Sequence, residues 1–442
     1  MAGPVILSNL TVPLLGAVDT AVVGHLPDAY YIGAVAVGAM IFNFLFWAFS
    51  FLRMGTTGLV AQAQGAGQAD EVRAILGRAM LIAAVLGLGL IALQAPIAAA
   101  AFHLLEGSAE VERLAGEYLA IRLWSAPAAL GGFVVFGWFI GVQNTRAALI
   151  VQIAMNGLNI VLDLVFVIGL GWGVAGVAGA TVIAEYAGLI LGIVLVRREL
   201  ARIGGVWRAS LMVDTARLRR LFAVNFDIFL RSLFLLLANA YFTAQGAEQG
   251  DTVLAANAVL HNFILFLAFG LDGFAFAAEA LIGGAVGAGD RARLRQAVRM
   301  TSIWALICAG GYVLVYAAAH SLLIGWLTSV PEVVAAANEY LPWVLAAPLI
   351  AVWSYQLDGI FIGATRTADM RNGMAVSLVV FLAADWLFRP LLGNHGLWLA
   401  MTILWVSRAV VLAVRYPALE RAVGREGEQG AAVGRRESES AN

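Results

Sequence analysis

The sequence predicts an all-α integral membrane protein, with twelve transmembrane helices arranged as two pseudo-symmetric six-helix lobes. Three observations carry this expectation. Hydrophobic residues make up 62% of the chain and charged residues 12%, with a mean hydropathy of +0.87, more apolar surface than a soluble domain can hide from water. The chain also repeats itself: Glu117-Tyr118-Leu119, Phe139-Ile140-Gly141 and Asp163 return with unchanged spacing as Glu339-Tyr340-Leu341, Phe361-Ile362-Gly363 and Asp385. Finally, the repeated unit is made of apolar segments of the length, about 20 residues, that a helix needs to cross a bilayer.

In chain order, the first segment, 4–24, bears Pro4, Pro13 and Asp19. Segments 32–62, 74–103, 115–142, 147–169 and 174–196 complete the first half. The second half holds 218–244, 254–285, 297–326, 336–364, 371–392 and 396–416. Small residues such as Gly173 to Gly179 suit close helix contact, and only helices satisfy their backbone in this setting. The expected organisation is a first lobe over 1–200, a linker over 201–217, a second lobe over 218–416 and a disordered polar tail over 417–442.

Arginine supplies every basic side chain except the five histidines, since lysine is absent. The arginines gather in alternate loops: Arg73 and Arg78, Arg146, the group from Arg197 to Arg220, Arg291 to Arg299, and Arg366 with Arg371. The intervening loops are acidic or nearly uncharged, so both termini and the 197–220 connection are expected in the cytoplasm. No basic region precedes the first segment, which is therefore expected to stay in the mature chain. A net charge of −1 suggests no nucleic-acid partner, and Cys308 is the only cysteine, which excludes an intramolecular disulfide. No metal-ligand motif occurs. The turns Gly67-Gln68-Ala69-Asp70 and Gly287-Ala288-Gly289-Asp290 form a second repeated feature, read as fixing helix-loop geometry.

Charges inside the membrane direct the search for function, because each costs about 2.5–3.5 kcal/mol at a helix centre and persists when paired or used. They are Asp19, Arg53, Asp163, Glu185, Asp227, Arg231, Asp272, Glu279, Asp358, Asp385, Arg389 and Arg408. Asp227 with Arg231, and Asp385 with Arg389, are spaced for salt bridges along one helix face. Asp19 has only Leu15, Gly16, Val22 and Val23 one turn away, so it makes a candidate proton carrier on a helix that its prolines allow to bend. Asn159, Asp163 and Thr181 provide amide, carboxylate and hydroxyl oxygens able to hold a proton, a sodium ion with water, or a substrate ammonium group. The second half has Phe381 in place of Asn159 and gains Arg389, which points to the first half as the working one.

Pro4 and Asp19, Asn159 and Asp163, Thr181, Leu271-Asp272-Gly273-Phe274 through Glu279, and Leu357-Asp358-Gly359-Ile360-Phe361-Ile362-Gly363 resemble the multidrug and toxic-compound extrusion (MATE) transporters. The likeness is to the branch named for DNA-damage-inducible protein F. Residues 3–416 are covered, although the lead-in before Pro4 is short. The resemblance implies a MATE/MOP-type fold and a secondary antiporter of the bacterial inner membrane that needs no cofactor. Such a protein exports organic, often cationic and amphipathic compounds against protons or sodium; the branch implies protons, and the two-lobe plan implies that a monomer suffices.

In that family the first-helix acid and the fifth-helix Asn/Asp pair line a cavity of the N-terminal lobe. The role carries over to Asp19, Asn159, Asp163 and Thr181, with Asp358 linked to cation coupling in another branch. Met40, Phe44 and Trp47 are candidates for apolar substrate contact by segment position. A lipid-linked sugar flippase of the same superfamily is the alternative within transport. It would need several unpaired cations for pyrophosphate.

Overall fold

The computed structural model describes residues 3–8, 18, 22, 30–104 and 109–440, with side chains described to Gly424. Eleven helical spans among the described residues are long and apolar enough to cross a membrane, which agrees with segments two to twelve of the sequence reading. Of the first segment, residues 3–8 are helical and include Pro4. Asp19 and Pro13 lie outside the described residues.

The chain divides into two compact units, one formed mainly by Gly3–Gln64 and Gln68–Phe222 and the other by Ala223–Asn442. In the N-terminal unit α1 (Tyr30–Trp47) continues through one tight turn into α2 (Phe51–Gly65), followed by α3 (Ala69–Ala92), α4 (Gln94–Leu104) and α5 (Ala109–Arg122). Next come α6 (Ala126–Gly141), α7 (Thr145–Asp163), α8 (Gly173–Ile203), the short α9 (Ala209–Met212) and the start of α10 (Thr215–Ala247). The C-terminal unit holds the rest of α10 and then α11 (Asp251–Gly287), α12 (Arg291–Leu327), α13 (Pro331–Gly363), α14 (Thr367–Leu392) and α15 (Asn394–Ser440). The last helix thus runs through the stretch expected to be disordered. Alanine, glutamate and arginine there are good helix formers, and the reading from polarity gave that propensity no weight.

The repeated Phe-Ile-Gly motif has a physical explanation in the fold. In both copies it ends a helix in the same way: Asn144 N–H reaches back to the Phe139 carbonyl at 2.8 Å and Arg366 N–H to the Phe361 carbonyl at 2.9 Å. Gln143 and Thr365, one residue earlier, adopt positive φ of 65° and 51°. This pattern is the Schellman closure, which satisfies the last carbonyls of a helix.

The motif glycine and the glycine one turn before it serve packing. A Cβ on Gly137 would stand 2.4 Å from the Arg53 carbonyl oxygen, and one on Gly359 would stand 2.5 Å from that of Ala275. One turn later, Gly141 meets Thr57 and Val60, and Gly363 meets Glu279. Small residues four apart therefore bring α6 onto α2, and α13 onto α11, at backbone contact. Thr57 strengthens the first crossing by donating its hydroxyl to the Arg53 and Gly137 carbonyls at 2.9 and 3.1 Å. Gly137→Ala must push two backbones apart and is expected to cost about 1–3 kcal/mol, measured as a lower thermal midpoint in detergent.

The turn register differs from the one expected. Gly67 and Gly289 are the matching positive-φ residues, at 69° and 63°, each followed by a residue whose N–H closes onto a carbonyl five positions back. Asp290 then caps α12 by accepting from Arg293 N–H at 2.8 Å. Asp70 lies two residues further on than its supposed counterpart, inside α3, and is used differently, as described below.

Candidate functional site

The N-terminal unit carries a polar stripe along α7. Gln152, Asn156, Asn159 and Asp163 follow at intervals of four, three and four, which places them on one face of an α-helix. Asn156, Asn159 and Asp163 are buried, the last at 0% exposure, and the Gln152 amide donates to Asn156 Oδ1 at 3.1 Å. Directly after Asp163 the α-helix gives way to one wide turn of π-helix over Leu164–Gly169, closed by Leu170 N–H on the Val165 carbonyl at 2.9 Å. Such π-turns recur at functional sites because they re-aim the side chains beside them.

Helix α8 supplies the facing hydroxyl. Asn159 Nδ2 donates to Thr181 Oγ1 at 3.1 Å, and Thr181 passes its own proton to the Val177 carbonyl at 2.9 Å. The hydroxyl's one proton is thus committed to the backbone, so it accepts from Asn159 and holds the amide in one orientation. Asn159 Oδ1 is buried and has no hydrogen-bond partner among the described residues, so an acceptor oxygen stays open one helical turn from the Asp163 position. Asn159 and Thr181 are thereby brought together as the sequence led us to expect. Gln152 and Asn156 were missed, although their spacing from Asn159 was legible.

A second polar group in this unit joins α5, α8 and α1. The Arg122 guanidinium lies 3.1 Å from Glu185 Oε1, donates to Ser125 Oγ at 2.7 Å and stacks 3.7 Å from the centre of the Phe42 ring. Arg122 falls inside the fourth predicted segment yet was not counted among the intramembrane charges. It is the ion-pair partner of Glu185.

Met40, Phe44 and Trp47 form a stripe at helical spacing and are 51%, 60% and 39% exposed, while Ile41, Phe42 and Phe46 are buried. They therefore lie on the face of α1 that the unit leaves uncovered.

In the C-terminal unit one expected pairing is corrected. Asp227 and Arg231 do not bridge each other: Asp227 accepts from Thr367 at 3.0 Å and pairs with Arg371, and Arg231 pairs with Asp358. Each side chain finds its partner on another helix: Arg231 meets the buried Asp358, and Asp227 meets the part-exposed Arg371. Asp358 also receives Arg408 at 2.6 Å, so two guanidiniums converge on one carboxylate with all three residues buried. Glu279 is buried and Asp272 partly so on α11. The Asp385–Arg389 bridge is present at 3.2 Å, with the Tyr241 hydroxyl donating to the same carboxylate oxygen at 2.8 Å.

A family model described as MatE matches residues 4–165 and 228–387, the two halves in turn. The DNA damage-inducible protein F of Escherichia coli strain K12 is 46% identical over 420 residues, 93% of this chain and 90% of that protein. A probable multidrug resistance protein NorM of Caulobacter vibrioides is 26% identical over 412 residues, 91% of this chain and 84% of that protein. Two solved structures share the fold at 18% identity over 96% of this chain and 95% of theirs: a MOP superfamily transporter from Pyrococcus furiosus with a TM-score of 0.85, and a MATE protein in a bent conformation with 0.86. The model match over both halves, the extended identity and the shared fold lead to one assignment: this chain belongs to the MatE family and is a multi-pass membrane transporter, not an enzyme.

Proposed function

We propose that the protein is an antiporter that exports organic, often cationic and amphipathic compounds in exchange for protons, by alternating access. It works as a monomer in the bacterial inner membrane with both termini in the cytoplasm. The observation that carries this reading is the asymmetry between the units. Asp163 lies fully buried at the end of a polar stripe whose Asn159 is set by Thr181, whereas Asp358, the C-terminal candidate, already holds two guanidiniums. A carboxylate saturated by built-in cations is poorly placed to exchange an external one.

In this scheme ionised Asp163 and Asp19 attract a cationic substrate from the cell interior, and Met40, Phe44 and Trp47 supply apolar contact area. A proton arriving from the acidic side then neutralises the carboxylates, the attraction is lost, and the substrate leaves. Pro4 and Pro13 let the first helix bend as this happens. Asp272 and Glu279 are carried with Asp358 as secondary candidates in the C-terminal unit.

Sodium is the second reading, favoured by the open Asn159 Oδ1, an oxygen of the kind that hydrated sodium accepts. A flippase gains no support, since Arg122, Arg231, Arg389 and Arg408 each face a carboxylate in place of an empty phosphate site. Dye efflux from proteoliposomes separates the two ions. Efflux under a proton gradient without sodium is the expected result; efflux that appears only under a sodium gradient would transfer coupling to sodium.

A further inference from the structure

The segment joining the units is built as a docked strap. Asp70 on α3 accepts the Val206 N–H at 2.7 Å and the Arg208 guanidinium at 2.6 Å, and Glu71 holds Arg217 and Arg78. Arg73 donates to the Leu200 and Gly204 carbonyls at 2.7 and 2.8 Å, and Arg78 to the Leu211 carbonyl at 2.6 Å. Two glycines allow the fit. A Cβ on Gly77 would stand 2.7 Å from Met212 Cε, and one on Gly205, where φ is +74°, would stand 2.8 Å from Asp70 Oδ1.

The docking sets the depth of the strap. Residues 204–212 run beside Asp70 to Arg78, the first about 13 Å of a helix long and apolar enough to span the bilayer. That stretch of a spanning helix passes the headgroup layer.

The docked strap still leaves apolar and basic side chains exposed, although Arg73 of α3 covers part of the Trp207 ring. Val206, Trp207 and Val213 are 58%, 52% and 71% exposed, and residues 197–220 carry seven arginines against two acids. Of the strap's own arginines, Asp70 and Glu71 engage Arg208 and Arg217. Arg197, Arg198 and Arg219 are exposed and have no carboxylate partner among the described residues. Tryptophan with unpaired arginine at headgroup depth is the pattern of a segment that meets anionic lipid.

We propose that the strap over residues 197–220 is a binding surface for anionic phospholipid, its arginines taking the headgroup phosphates while Trp207 and Val206 enter the acyl boundary. This rests on membrane embedding alone and stands apart from the coupling ion. The test is native mass spectrometry of the purified full chain in detergent, titrated with phosphatidylglycerol and with phosphatidylcholine of the same acyl chains. Wild type is expected to prefer phosphatidylglycerol about tenfold. The triple variant R197Q/R198Q/R219Q should fall to near-equal binding, and R197K/R198K/R219K should keep the preference, which separates charge loss from misfolding. Equal binding of both lipids by wild type, or an undiminished preference in the glutamine variant, would overturn the proposal. So would displacement of the lipid by millimolar inorganic phosphate, which would identify a plain phosphate site.

Discussion

Asp163→Asn is expected to weaken binding of a cationic dye about 10- to 100-fold, the worth of one charge-assisted contact in a buried site, and to flatten its pH dependence. The sign follows from the proposed role. An ionised carboxylate binds the cation, so wild-type affinity falls as acid protonates it, whereas the amide is neutral at every pH and gives the weak value throughout. Asparagine is nearly isosteric, and the Asn159–Thr181 bond at 3.1 Å does not involve the replaced group, so the fold should persist. Equilibrium dye binding by fluorescence polarisation across pH measures both effects. Wild-type affinity with wild-type acid sensitivity in the variant would remove Asp163 from the substrate site.

Asp358→Ala should act in the opposite way, on stability more than on coupling. Among the described residues the carboxylate is the one ion-pair partner of Arg408, which is 4% exposed, and it also neutralises Arg231. Removing it strands a buried cation, at a cost of about 3–5 kcal/mol. Asp358→Asn keeps an acceptor oxygen and should lose less. Thermal unfolding in detergent reads the ranking, and the asparagine variant is expected to retain its coupling ion and its stoichiometry per folded molecule. A stable alanine variant would mean that the two guanidiniums are satisfied elsewhere.

The contrast between these substitutions shows what a sequence can and cannot convey. The repeat at constant spacing located two equivalent units, and hydrophobic length located the spans, because bilayer thickness and backbone satisfaction leave few alternatives. Asn159 and Thr181 were legible as polar residues at one depth. The pairing of Arg231 was not. Spacing along one helix favoured Asp227, but the partner is decided by which helices adjoin, and that lies outside any local pattern. Arg122 likewise finds its partner across helices, in Glu185 on α8. The π-turn after Asp163 leaves no mark in Leu164–Gly169, since those residues suit an α-helix equally well. Similarly, two glycine-acid turns looked like copies two residues out of register, and only the positive φ of Gly67 and Gly289 set the alignment that freed Asp70 to hold the strap.

The most direct test of the central claim, that carboxylates of the N-terminal unit carry the coupling proton, is substrate-evoked proton movement. Wild type and Asp163→Asn would be reconstituted in sodium-free vesicles loaded with a pH-sensitive dye and challenged with a cationic substrate. The account predicts that substrate moves protons in wild type and that the signal disappears in Asp163→Asn. A proton signal of wild-type size in the variant, or none in wild type until sodium is added, would contradict it.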